Sequence, residues 1–338
     1  MPEGHTLHRL AHEVGSAFGG RRVRVSSPQG RFAESAALVD GSVLLDAEAA
    51  GKHLFCELAG ERVVHIHLGL IGQLDVHPDV AEVPLPVGQV RLRLATADGT
   101  PAAYADLRGA IVCDLVTTAR RDEVIARLGP DPLRPDADPM RAWARISRSH
   151  RPIGDLLMDQ AVLAGVGNVY RAEVLFRHRM HPLRPGRTLR VGQWQAMWDD
   201  LVVLMAEGVK TGTIDTVRPE HTPEAMGRPP RADDHGGEVY VYRRAGQACL
   251  VCGSRVRTRL PPSPLASYSP RSAAAISSVG VRPSSGKVAM PIEVSTQNAP
   301  RPSRRIGVPR NASRIRLATT AAPARSVSGR MTANSSPP

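Results

Sequence analysis

The chain opens Met1-Pro2-Glu3, a proline and a carboxylate at its start. A methionine ahead of a small residue such as proline is normally clipped, which would leave a secondary amine as the first group. An α-amino group titrates near pH ~8, roughly two units below a lysine, so a useful fraction is neutral and nucleophilic at physiological pH. Attack of such an amine on a sugar aldehyde carbon gives an iminium ion, the covalent logic of Schiff-base amines. Glu3 beside it could shuttle protons to a ring oxygen or a leaving group. Taken alone, the same residues fit a solvated N-terminal turn.

Two distant stretches supply what that chemistry lacks. Lys52 follows Gly51 at a strand-entry turn, where its side chain can reach into a cleft. Asp159 through Glu173 reads as one helix ending, a glycine-bearing turn (Gly165, Gly167) and a second helix beginning at Asn168. Glycines let backbone approach a ligand closely, and free amides at a helix start bind anions. Asn168 is expected to cap the helix and to donate to a phosphate. A plain helical hairpin with a glycine-rich turn is the competing reading.

The elements that must position these residues follow from pattern. Leu7, Leu10, Ala11, Val14 and Phe18 recur at helical steps and predict a leading helix over 4–19. From Arg22 to Val116 short apolar runs alternate with Gly, Pro and Asp turns, which predicts an antiparallel sandwich or barrel. The runs are Val23–Val25, Val43–Leu45, His53–Leu58, Val63–Leu68, Val90–Ala95 and Ala110–Cys113, with a turn at Asp98-Gly99. Beyond Thr118 helices are predicted over 121–128, 138–146, 153–159, 168–178 and 189–208, the last with a buried stripe of Trp194, Met197, Trp198, Leu201, Val202 and Met205. Residues 209–237 read as a loop, and Glu238–Tyr242 as a short strand before the Cys249-Leu-Val-Cys252 knuckle. The tail beyond about 260 is Ser, Pro, Ala and Arg, cannot bury a core, and is expected to be disordered.

Net charge is +12 over 338 residues, which invites a nucleic-acid reading. The excess is uneven. Residues 261–338 hold ten Arg and one Lys against one Glu, whereas residues 1–260 hold 33 bases and 31 acids. DNA affinity in the body must therefore come from placed cations and backbone amides. No apolar run is long enough to span a membrane, and no basic-then-apolar leader begins the chain, so a cytoplasmic protein is expected. Cys56 and Cys113 sit in strand-like stretches as buried thiols; Cys249 and Cys252 have metal spacing. His5, His8 and His12 share helical spacing but are expected to face solvent or stack; His65 and His67 are expected to pack or lie at the surface. Asp106-Leu107-Arg108 reads as a surface ion-pair turn, with a structural role near the cleft as the alternative.

Met1-Pro2-Glu3-Gly4, Gly51-Lys52, His67-Leu68-Gly69, Arg127-Leu128-Gly129-Pro130-Asp131-Pro132-Leu133 and the Asp159–Glu173 stretch together resemble the formamidopyrimidine-DNA glycosylase / endonuclease VIII family, most closely its bacterial endonuclease VIII-like branch. The resemblance runs in consistent order from residue 1 to about 257. It implies an α+β protein: an N-terminal antiparallel β-sandwich with a leading helix (1–118), a helical domain with a helix-two-turn-helix (119–237), an incomplete zinc finger (238–260) and a disordered basic tail (261–338). It implies a bifunctional DNA glycosylase and AP lyase that removes oxidised bases, pyrimidines above purines, and cleaves the strand by β-elimination. The alternative is a noncatalytic binder of damaged or abasic DNA. Pro2 would be the Schiff-base nucleophile, Glu3 the proton donor and acceptor, and Lys52 a proton donor that touches phosphate. Arg127, Gly167 and Asn168 would hold the backbone around a flipped nucleotide, and Leu70 in the Leu68–Ile71 loop would fill the vacated stack. That chemistry needs neither a metal nor an organic cofactor. Damaged double-stranded DNA is the implied partner, for a monomer associated with the nucleoid.

The family's finger carries two Cys-x-x-Cys pairs with a DNA-gripping arginine between them. Here Cys249 and Cys252 give only a half site, Arg255, Arg257 and Arg259 follow, and neither Cys nor His occurs after 252. Zinc, expected for the family, would be weakly held or absent, and His235 does not fit the family's spacing. Out-of-frame translation beyond about 257–260 accounts for the composition of the tail; a genuine basic arm is the competing account.

Overall fold

The computed structural model describes residues 2–97, 101–232 and 237–257. The predicted Asp98-Gly99 turn, His235, Arg259 and the basic tail lie outside them. Helix α1 (Gly4–Phe18) leads into strand β1 (Val23–Ser26), helix α2 (Ala33–Val39), and strands β2 (Leu44–Ala50), β3 (His53–Leu58), β4 (Arg62–His67), β5 (Gln73–Val80), β6 (Val90–Thr96), β7 (Ala102–Arg108) and β8 (Val112–Thr117). These strands form two four-stranded sheets, ordered β1-β6-β7-β5 and β2-β3-β4-β8, with every pairing antiparallel. One core joins them. The α1 stripe of Leu7, Leu10, Val14 and Phe18 packs with Leu54, Leu58 and Ile66 of one sheet and Leu92, Leu94 and Leu107 of the other. The expected sheets and leading helix are therefore present.

Three elements depart from the sequence reading. Helix α2 interrupts the predicted run of strands, and its Ala-Glu-Ser-Ala-Ala content is that of a helix former. Strand β5 shows only Leu74 buried and contains Pro78, the profile of an exposed edge that periodicity passes over. Asp106 is not in a surface turn: it lies in β7, buried, with Arg93 donating to both its oxygens at 2.6 and 2.8 Å. Burying a carboxylate is tolerable because that fork pairs it fully.

The helical domain comprises α3 (Thr118–Ala126), α4 (Pro139–Ile146), α5 (Ile153–Leu156), α6 (Asn168–Arg177), α7 (Val191–Thr211) and the short α8 (Pro223–Met226) inside the predicted loop. Thr117 and Asp138 cap α3 and α4, and left-handed Gly212 ends α7. The α7 stripe of Trp194, Met197, Leu201 and Met205 packs with Val169, Tyr170 and Val174 of α6. Residues 238–242 form no strand among the described residues; their amides have another partner, described below. No described helix is long and apolar enough to cross a membrane.

Candidate active site

Four pieces of chain meet at Glu3 and Gly4: the N-terminus, the Gly51 turn, the Gly129–Asp131 turn and the glycine turn before α6. The Gly4 amide donates to the Gly165 carbonyl at 2.8 Å. A Cβ on Gly4 would stand 2.7 Å from the Gly165 Cα, and one on Gly167 would stand 2.4 Å from the Glu3 carboxyl carbon. Any larger residue at either position would push the N-terminal segment off the turn. Gln160 sets the turn's shape, accepting from the Gly165 amide at 2.9 Å and donating to the Val166 carbonyl at 3.0 Å.

Glu3 is fully buried. Its carboxylate accepts from the amides of Gly167 and Val169 at 2.8 Å each and from Tyr170 at 3.4 Å. Helix α6 has Gly167 as its N-cap and no side-chain cap of its own. The orphan amides of its first turn are thus satisfied by a carboxylate 164 residues away, which also meets the positive end of the helix dipole. This corrects the expected role of Asn168. It is the first residue of α6 rather than its cap, and its side-chain oxygen accepts from Arg171 at 3.0 Å. The anion at the helix start is Glu3 rather than a phosphate.

Lys52 is near enough to feel both Glu3 and Arg171. Burial holds its pKa below the usual lysine value; the Glu3 carboxylate opposes that shift and the Arg171 guanidinium adds to it. Pro2 is half-buried, one peptide from Glu3. Lys52 and the fixed Glu3 carboxylate thus lie within electrostatic reach of each other, with Pro2 next in the chain to Glu3. Arg127 is exposed at the C-terminus of α3. Leu70 is 64% exposed and Ile71 81%, carried by a turn in which Gly69 has φ +72°.

The sequence reading assigned no role to several residues that build this pocket. Asp131, buried, accepts from the Gly51 amide at 2.7 Å, from His8 Nε2 at 2.8 Å and from the Leu133 amide at 3.0 Å. It ties α1 to the Lys52 turn and to the chain entering the helical domain. Arg171 sits one turn beyond Asn168, a spacing that could have found it. Ile111, 63% exposed, backs Gly69 and widens the apolar knob begun by Leu70 and Ile71.

Next to Lys52 stand three histidines. His53 Nδ1 and His65 Nε2 are 2.9 Å apart, and the His53 ring meets His67 edge-on at 4.8 Å. Burial, with the neighbouring imidazoles, lowers His53 to about 3; burial lowers His65 to about 4, and burial then Lys52 lower His67. His67 Nδ1 accepts from the Gly69 amide, which leaves its ring proton on Nε2. His5 is also buried and meets Tyr170 edge-on, as the stacking expectation had it; His12 is exposed.

Cys56 and Cys113 are buried free thiols. Cys249 and Cys252 do not complete a zinc site: among the described residues no group of three His, Cys, Asp or Glu stands together, and a structural zinc takes four ligands.

Two antiparallel sheets closed by a leading helix, joined to a helical domain whose glycine turn receives the N-terminal segment, define a class of two-part α+β proteins. Comparison with known proteins gives that class a name. The model of the formamidopyrimidine-DNA glycosylase N-terminal domain matches residues 1–112, and that of the formamidopyrimidine-DNA glycosylase H2TH domain matches 128–218. Endonuclease 8 1 of Mycobacterium tuberculosis is 53% identical over 263 residues, 77% of this chain and 95% of the relative. The DNA-(apurinic or apyrimidinic site) lyase Nei2 of Mycolicibacterium smegmatis is 32% identical over 265 residues, 76% of this chain and 93% of the relative. Among solved structures, Lactococcus lactis formamidopyrimidine-DNA glycosylase bound to abasic-site DNA matches with a TM-score of 0.61 at 18% identity, over 77% of this chain and 94% of that one. The chain belongs to the formamidopyrimidine-DNA glycosylase / endonuclease VIII family.

Proposed function

We propose that this chain is a bifunctional DNA glycosylase and AP lyase of base-excision repair, acting on oxidised bases, pyrimidines foremost, in double-stranded DNA. The observation that carries the reading is the seating of Glu3 in the α6 N-terminus, which anchors the residue next to Pro2 within the electrostatic reach of Lys52. The relatives' printed names, an endonuclease 8 and an AP lyase, support the same activity.

The Pro2 nitrogen attacks C1′ of a flipped damaged nucleotide as the bond from C1′ to the base breaks, and the base departs with the bonding pair and takes a proton from water. The C1′–O4′ bond then opens. Glu3 relays the proline's proton to O4′, and the nitrogen lone pair forms the iminium. Water takes the C2′ proton, and the electrons released expel the 3′ phosphate by β-elimination, with Lys52 donating to the leaving oxygen. Water finally releases Pro2 from the sugar remnant. Arg127 and the Asn168 side chain hold the flanking phosphates, and Leu70 fills the gap left by the flipped base, lowering the few kcal/mol that flipping costs. The protein works at the nucleoid, as a monomer.

Borohydride reduction on a duplex carrying an abasic site or an oxidised pyrimidine tests this. It should trap the full chain covalently, and Pro2→Thr should abolish trapping. Trapping undiminished in that variant refutes the nucleophile. Tight binding with no trapping by the unaltered chain identifies a noncatalytic damage binder instead.

A further inference from the structure

The C-terminal hairpin, residues 246–256, stands where the family's zinc site belongs, yet its ligands do not fit a zinc ion. It is nevertheless closed. The Gly246 amide donates to the Val256 carbonyl at 2.8 Å, Val256 to Gln247 at 2.9 Å, Cys249 to Ser254 at 2.8 Å and Gly253 to Cys249 at 2.9 Å. Cys249 and Val256 pack with Tyr240, Val241 and Ala172 of α6. Something other than a metal must hold this unit on the helical domain.

Glu173 supplies it. This carboxylate is fully buried on α6. Three successive amides, of Tyr240, Val241 and Tyr242, donate to it at 2.7, 2.8 and 2.8 Å, and the Thr216 hydroxyl adds a fourth bond at 2.7 Å. That explains why residues 238–242 form no strand: their donors point at a side chain. Arg244 closes the far end, donating to the carbonyls of Val239, Tyr240 and Ala248 and to the Gln247 side chain. Hydrogen bonds to an ionised acceptor are roughly twice as strong as neutral ones, and stronger still away from water.

We propose that Glu173 is the positioning residue of this hairpin. Its staple of backbone amides, closed by Arg244, holds residues 240–256 against α6 without a metal ion and sets exposed Arg255 and Arg257 to contact DNA phosphate. Only the phosphate contact rests on the repair reading above.

Hydrogen–deuterium exchange of the full-length chain tests the staple with no DNA present. Protection at 240–242 and 246–256 should be the same with chelator, with added zinc, and in a Cys249→Ser, Cys252→Ser double variant. A tenfold gain with zinc, or a tenfold loss in the double variant, overturns the proposal. Glu173→Gln should lose at least tenfold protection in both segments while the sheets keep theirs; unchanged protection overturns it. Should Glu173→Gln fail to fold, Arg244→Met must lose protection across 246–256, and retention there overturns it equally. Glu173→Gln and Arg244→Met should each bind a duplex with an abasic-site analogue about tenfold more weakly, with the double cysteine variant unchanged, yet all should trap on borohydride normally at saturating DNA. Unchanged affinity in Glu173→Gln and Arg244→Met overturns the phosphate contact. Absence of trapping in the unaltered chain counts against the repair reading alone.

Discussion

Two buried glutamates meet α6, and they do so in opposite senses. Glu3 arrives from the N-terminus and satisfies amides that belong to the helix. Glu173 belongs to the helix and satisfies amides of an arriving segment. Both are fully buried, and both answer the same debt of unpaired backbone donors. Their surroundings separate them. Around Glu3 lie Lys52 and Arg171, cations whose charge burial leaves only partly compensated. Around Glu173 lie Tyr240, Val241 and the Thr216 hydroxyl, with the Arg244 and Arg177 guanidiniums near enough to feel its charge. Cations therefore stand near both carboxylates, and what sets Glu3 apart is a lysine and its place next to Pro2. A backbone-amide cradle reveals rigidity, and the kind of neighbouring group, rather than charge alone, separates the two.

Exchanging the two acids for glutamine breaks or sharpens that contrast. Glu3→Gln should slow single-turnover cleavage of an abasic-site duplex by about 10²–10³-fold, the range for a lost proton-transfer group. Glu173→Gln should leave that saturated rate within a few-fold while lowering stability by about 2–3 kcal/mol, since an amide nitrogen would face backbone donors. Single-turnover kinetics paired with denaturant unfolding reads both. If Glu3→Gln were merely destabilising, with its rate preserved, the two sites would be alike and the catalytic assignment would fall.

Asp131 is a third buried carboxylate and lies between the two types. It touches no reacting group, yet through the Gly51 amide it fixes the turn that carries Lys52. Asp131→Ala should cost roughly 3 kcal/mol in unfolding free energy, because the Gly51 and Leu133 amides would lose their acceptor. Cleavage should fall about tenfold with DNA affinity nearly unchanged, and Asp131→Asn should recover most of the rate. Equal loss in affinity and rate would mean that Asp131 only supports the fold.

The residues of the candidate site stood out in the sequence by type: a proline near the start, an adjacent acid and a lysine after a glycine turn. The two longest stripes, Leu7–Phe18 and Trp194–Met205, were legible because helical burial repeats at fixed steps. Asp131 and Gln160 were not, because their contacts depend on how distant turns meet. The bond from Gly51 to Asp131 spans 80 residues, and although both lie in stretches that carry the resemblance, nothing local pairs them. Asn168 was misread for a related reason. Asparagine beside a glycine turn is a good local cap, but a carboxylate arriving from elsewhere took the amides first. Strand β7 was hidden by Asp106 and Arg108, whose charges read as surface until Arg93 is seen across from them.

The smallest predicted effect concerns the histidines beside Lys52, where the contrast between reactive and inert burial is finest. His53 and His65 share one hydrogen bond between ring nitrogens, which requires at least one of them to be neutral. Their folded values, about 3 and about 4, lie below the unfolded value of about 6.5. The unfolded chain therefore takes up these protons first as pH falls. The stability they contribute is whole above about pH 6.5 and drains away as pH drops toward 4, by about 2 kcal/mol for each ring between pH 6.5 and 4.5. His53→Gln should roughly halve that slope in the stability curve measured by urea unfolding at stepped pH, because glutamine binds no proton in either state while His65 still does. At pH 8 the same variant should be within about 1 kcal/mol of the parent and should cleave at a similar rate. A curve that stays steep would assign the acid sensitivity to other groups, such as His5. A large rate loss at pH 8 would move His53 from the inert kind of burial to the reactive kind, alongside Lys52.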